Sequence, residues 1–193
     1  WHRLKTDPAA KFMVISLVFY AASTFEGSMM AIKTVNALSH YTDWTVAHVH
    51  SGSIGWVAMI TIGSLYAMAP RALGRPAMHS VRGMELHFWL HVAGVLLYIL
   101  AMWIAGVTEG LMWRATEANG SLTYSFIDSL IAIKPLYVVR WLGGMLVLAG
   151  MVVMAWNLWH TAAHARAKLI TPIPVPIPEP EPHQVPAPLP ATI

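Results

Sequence analysis

Cysteine is absent from the chain, which excludes disulfides, zinc–thiolate sites, iron–sulfur clusters and a covalently attached c-type haem. Charge is scarce as well. Only 11% of the 193 residues are Asp, Glu, Lys or Arg, against about a quarter in a typical soluble domain. A formal net charge of +3 without a basic cluster gives no footing for nucleic-acid binding. The first apolar run has no small-residue cleavage site behind a short hydrophobic core, so it does not read as a signal peptide. Trp1 rather than Met opens the chain, which reads as a truncation point in a longer protein. Any cofactor must therefore hang on His, carboxylate, Met or Tyr.

What is present in quantity is apolar sequence, 56% of residues. It is gathered into four runs, at 12–32, 44–69, 85–107 and 137–159, each about the length of helix that crosses a bilayer. The expected fold is all-α and integral to a membrane, with four spans. Residues 1–11 read as an arm and 161–170 as a basic end. Residues 171–193 form a tail in which Pro recurs at nearly every second position, which forbids helix and points to an extended conformation. Arg3, Lys5 and Lys11, the second connector with Arg71, Arg75 and Arg82, and Arg166 with Lys168 share one side. By the positive-inside rule, that side and both termini are expected to be cytoplasmic. The connector at 108–136 reads as a polar hairpin carrying Asn119-Gly120.

Within WTVAHVHSGSIGW two histidines stand one residue apart. On a helix, positions i and i+2 lie about 200° apart, so His48 and His50 face opposite ways. They cannot chelate one ion together, which needs i,i+3 or i,i+4 spacing, but each can ligate its own centre with the helix held between. Histidines that merely pack and hydrogen-bond between helices are the alternative. Ala47, Ser51, Gly52, Ser53 and Gly55 either leave room for something large or serve ordinary small-residue packing.

Glu26 lies inside the first span, where a charge is costly without a partner. Counted along the helices, it shares the outer third with the histidine pair. A metal-bound His commonly donates its other ring N–H to a carboxylate or carbonyl, and Glu26 is the candidate. A Glu lining a polar crevice or carrying protons is the competing reading. His87 and His91 form an i,i+4 pair, yet counting places them near the inner surface, roughly 15 to 25 Å from His48 and His50, so they are expected to be interfacial. The Trp and Met residues read as anchors and packing groups.

FEGSMMAIKTVNALSHYTDWTVAHVHSGSIGW closely resembles a segment of the catalytic subunit of cbb3-type cytochrome c oxidases, the C-family of haem–copper oxidases. The likeness continues through HFWL, GLMWRA, NGSLTYSF and VVRWLGG to the start of the proline-rich tail. The resemblance implies that the chain is the last part of a bundle of about twelve helices. It also implies two haem b groups: His48 as proximal ligand of the high-spin haem, His50 as an axial ligand of the low-spin haem, and Glu26 as the carboxylate behind His48. His40, in SHYTDW, is expected near the haem propionates, and the side and charge of Arg140, at the outer end of the last helix, make it a second candidate to neutralise one. Copper belongs to the complete subunit, but its histidine ligands are missing from this chain, as is the second axial histidine of the low-spin haem. The implied partners are the N-terminal remainder of the subunit, membrane-anchored c-type cytochromes, dioxygen and the lipid of a bacterial inner membrane. The implied activity is reduction of O2 to water with proton pumping, the piece alone being inactive.

Two other readings use the same residues. A nitric oxide reductase-like subunit would place a non-haem iron in upstream helices. A small membrane cytochrome b would need a second His for each haem on a facing helix.

Overall fold

The computed structural model describes residues 2–169, so the tail at 171–193 lies outside the described residues. Among the described residues seven α-helices occur in chain order: α1 (His2–Thr6), α2 (Pro8–Met30), α3 (Lys33–Ser39), α4 (Asp43–His50), α5 (Met59–Ala72), α6 (Val81–Met112) and α7 (Phe126–Leu169). A π-helical segment, Ser51–Ala58, joins α4 to α5 without a break. Four continuous helices are long and apolar enough to cross a membrane, Pro8–Met30, Asp43–Ala72, Val81–Met112 and Phe126–Ala163.

Each span outruns its apolar run because caps, not hydropathy, set where a helix begins. Asp7 accepts from the backbone N–H groups of Ala9 and Ala10 at 3.0 and 3.4 Å, and Pro8 follows it at the first helical position, where its missing N–H costs nothing. Ser80 caps α6 through Gly83 N–H. Pro70 and Pro135 both lie inside helices, a placement that membrane helices tolerate. The polar hairpin is consequently shorter than the runs imply. It turns at Gly120, with φ of 83°, and is tied by Thr123 N–H to Ala115 O at 3.0 Å.

The second span sits between α2 and α6, and α7 packs principally along α6. At the α6–α7 crossing Gly94 and Gly143 oppose each other: a Cβ on either would come within 2.6–2.7 Å of the other's carbonyl oxygen. Such close backbone approach is how helices associate in lipid, where apolar area gives no net drive. Most of the remaining surface is apolar, including Phe25, Trp141, Val152 and Trp159, as a lipid-facing bundle requires.

The start of α4 is pinned by α6. Glu109, buried on α6, accepts the Asp43 backbone N–H at 2.7 Å, so a carboxylate meets the positive end of the helix that carries both histidines. Thr42 adds its hydroxyl to Trp44 N–H at 3.3 Å.

His87 and His91 are both fully buried between the helices. Phe12 lies 5.0 Å from the first ring and 6.2 Å from the second. The Tyr66 hydroxyl pairs with His87 Nδ1 at 2.8 Å, and the Ile54 carbonyl with His91 Nε2 at 3.2 Å. Partners reaching across from the second span make burial affordable. The Ile54 contact brings the His91 ring nearer the histidine pair than counting along the helices placed it, since Ile54 is only four residues past His50.

Candidate functional site

His48 and His50 both lie in the regular part of α4, so the α-helical 100° per residue applies to them, and they open to opposite sides. The His48 ring lies against α2. A Cβ on Gly27 would stand 3.1 Å from its Cε1 and 3.4 Å from its Nε2, so the glycine following Glu26 is what lets the imidazole sit there. His50 faces the other way, toward α6 and α7, and lines an apolar cavity of about 260 Å³ with Ile54, Val95, Tyr98, Gly144 and Val147 among its walls.

Both imidazoles have one nitrogen turned toward protein. His50 Nδ1 lies 2.7 Å from the Val46 carbonyl one turn back; an amide oxygen only accepts, so that nitrogen carries the hydrogen and Nε2 keeps its lone pair. The nearest group to Nε2 is the Tyr98 hydroxyl at 3.3 Å, the two rings being 4.7 Å apart. His48 Nδ1 faces Glu26 Oε2 at 3.6 Å. That is just longer than a hydrogen bond, yet both atoms are buried and neither has another partner. The His48 side chain is 28% exposed, against 7% for Glu26, so the imidazole is reachable and the carboxylate is not.

Glu26 is held from its other oxygen. Oε1 accepts from the indole N–H of Trp44 at 2.7 Å and of Trp103 at 2.5 Å. Nothing in the spacing of the aromatic residues signalled this. Trp44 and Trp103 read in sequence as anchors like any other membrane Trp, and only the convergence of α2, α4 and α6 distinguishes them. Tyr98 was equally silent.

Arg140 is brought to the His50 side. It lines a second cavity, of about 340 Å³, with Tyr98, Tyr137, Trp141, Gly144 and Met145, and Tyr98 and Gly144 belong to both cavities. Its guanidinium lies 5.3 Å from the Tyr98 ring centroid and 5.5 Å from that of Tyr137. His40 is not gathered in. It follows α3, is exposed, and has its ring 4.0 Å from that of Tyr41, tilted by 56°.

The small residues after the histidines serve packing. A Cβ on Gly55 would meet the Phe19 ring at 2.6 Å, and one on Gly52 the Ser23 hydroxyl at 3.2 Å. The π segment begins directly after His50, and such widened turns are frequent at functional sites. No cluster of three or more His, Cys, Asp or Glu that could hold a metal ion occurs among the described residues. The site thus presents two imidazoles separately, one facing a carboxylate at 3.6 Å and one bonded to a carbonyl at 2.7 Å.

The model of a family described as cytochrome c and quinol oxidase polypeptide I matches residues 1–146. The chain is 57% identical over 166 residues to a cbb3-type cytochrome c oxidase subunit CcoN1 of Stutzerimonas stutzeri, covering 86% of this chain and 35% of that protein. It is 53% identical over 163 residues to a cytochrome c oxidase subunit 1 of Rhodobacter capsulatus, covering 84% and 31%. With a homologue of that subunit from Azorhizobium caulinodans it shares 50% over 165 residues, 86% and 30% of the two chains. The chain therefore spans about a third of the length of these relatives.

Proposed function

Because the chain belongs to the cytochrome c and quinol oxidase polypeptide I family, we propose that it is the C-terminal portion of a cbb3-type catalytic subunit. In this reading it lies in a bacterial inner membrane with both termini cytoplasmic. It works within a proton-pumping oxidase that takes electrons from c-type cytochrome subunits and reduces O2 to water. His48 holds a high-spin haem b and His50 a low-spin haem b, while copper is bound by the rest of the subunit.

The observation that carries this is the opposed pair: two imidazoles on one helix, each with Nδ1 turned to a protein oxygen, with His48 partly exposed and the Tyr98 hydroxyl 3.3 Å from His50 Nε2. The residues fit the groups. The unpartnered Glu26 Oε2 and His48 Nδ1 face each other, as expected where a carboxylate orients a metal-bound imidazole and raises its basicity. The apolar walls around His50 suit a macrocycle, and Arg140 on the adjoining cavity suits its carboxylates. His40, exposed and away from both cavities, has the weaker claim to a propionate.

When bound, the two haems supply an electron-carrying iron on one side of α4 and an O2-binding iron on the other. This chain's residues would then do two things: α4 sets the order of the two centres, and Val46 O and Glu26 face the Nδ1 atoms and so orient the two rings. A small cytochrome b would need a histidine facing His50 or His48, and among the described residues Tyr98 and Gly27 occupy those positions.

The test is a reduced-plus-CO minus reduced optical spectrum, with haem counted per chain, on the polypeptide alone and in its native complex. Haem and CO binding are expected only in the complex. Two haems held stably by the isolated chain would overturn the proposal in favour of the small electron carrier.

A further inference from the structure

Glu26 has a place to go other than His48. Its carboxylate lines an apolar cavity of about 340 Å³ with Ala22, Phe25, Met29, Trp44, Trp103 and Val107, and a side-chain rotation into that space would abandon the imidazole. What opposes the rotation is the pair of indole N–H groups, one from the first turn of α4 and one from the middle of α6, converging on a single oxygen. Both donors are neutral, so they satisfy the buried carboxylate without pairing it to a cation and leave its charge to act elsewhere. An indole N–H can only donate, so Oε1 can only accept. A proton exchanged with the imidazole must pass through Oε2, the oxygen at 3.6 Å from His48 Nδ1 and without other donors.

We propose that Trp44 and Trp103 are positioning residues that hold Glu26 Oε1 so that Oε2 stays on His48 Nδ1, and so set the donor strength of His48 toward the high-spin haem iron. The inference rests on His48 being that ligand. Its reach is from two aromatic side chains, through one carboxylate, to one nitrogen. Neither indole need touch the haem.

The test uses the complete assembled complex carrying Trp103→Phe or Trp44→Phe. Each removes one donor and keeps an aromatic ring, so the carboxylate retains the other donor and assembly is expected to survive. The readout is the iron–histidine stretching frequency of the reduced high-spin haem by resonance Raman, compared with Glu26→Gln and His48→Ala. Both Trp variants are expected to lower the frequency in the direction of Glu26→Gln, with the haem potential moving upward. A purely structural role would reduce haem content and leave the frequency of the remaining haem unmoved. An unshifted band in both Trp variants beside a shifted one in Glu26→Gln overturns the positioning role and spares the ligand assignment. An iron–histidine band that persists in His48→Ala overturns the ligand assignment itself.

Discussion

His48→Ala in the complete subunit is expected to abolish CO binding by the reduced enzyme while the low-spin haem spectrum persists. In the proposed reading the His48 imidazole is the ligand of the CO-binding haem, and alanine carries no nitrogen to replace it. Removing only the hydrogen-bonding partner of a metal ligand typically costs about 10- to 100-fold in affinity or activity, so Glu26→Gln belongs in that range and His48→Ala well beyond it. The asymmetry follows from the opposed faces: His50, anchored to Val46 O at 2.7 Å, keeps its own position when the His48 ring is cut away. Optical difference spectra of the purified variant measure both haems at once. Equal loss of the two would mean that the histidines act as one structural unit and not as separate ligands.

Gly106→Val is expected to prevent assembly. A Cβ at position 106 would lie 1.9 Å from the backbone N and 2.6 Å from the Cα of Trp44, and backbone cannot step aside as a side chain can. Overpacking commonly costs about 1–3 kcal/mol; here the only relief is separation of α4 from α6. Two features go with that separation: Glu109 on the Asp43 N–H, and with it the register of the histidine helix. Haem per polypeptide and the assembled band on a native gel are the measurements, both expected to fall below detection. Gly52→Ala gives the contrast. Its methyl would meet only the Ser23 hydroxyl, at 3.2 Å, which can rotate, so that variant is expected to assemble.

The features legible from sequence are those that follow from periodicity along a single helix. Four apolar runs gave four spanning helices, and 100° per residue put His48 and His50 on opposite sides of α4. Glu26 was matched to His48 by counting rise along two neighbouring antiparallel helices from a shared connector, which is short enough to keep the two counts in step. The same counting misplaced His91. Its helix is joined to the second span at the far end, and the contact with Ile54 O is made where two axes approach, a quantity that no residue count contains. Trp44, Trp103 and Tyr98 were invisible for a related reason. A tryptophan donating to a buried carboxylate and one anchoring in lipid have the same sequence surroundings, and what separates them is a neighbour 77 residues away. The π segment after His50 likewise has no signature in SGSIGWVA that ordinary helix would lack.

The claim that one helix serves two haems from opposite faces is tested most directly by an electron cryomicroscopy map of the complete assembly. The map is expected to hold two flat macrocycles separated by α4, one iron bonded to His48 Nε2 and the other to His50 Nε2. A map in which either imidazole makes only protein contacts, or in which both reach the same iron, would contradict it.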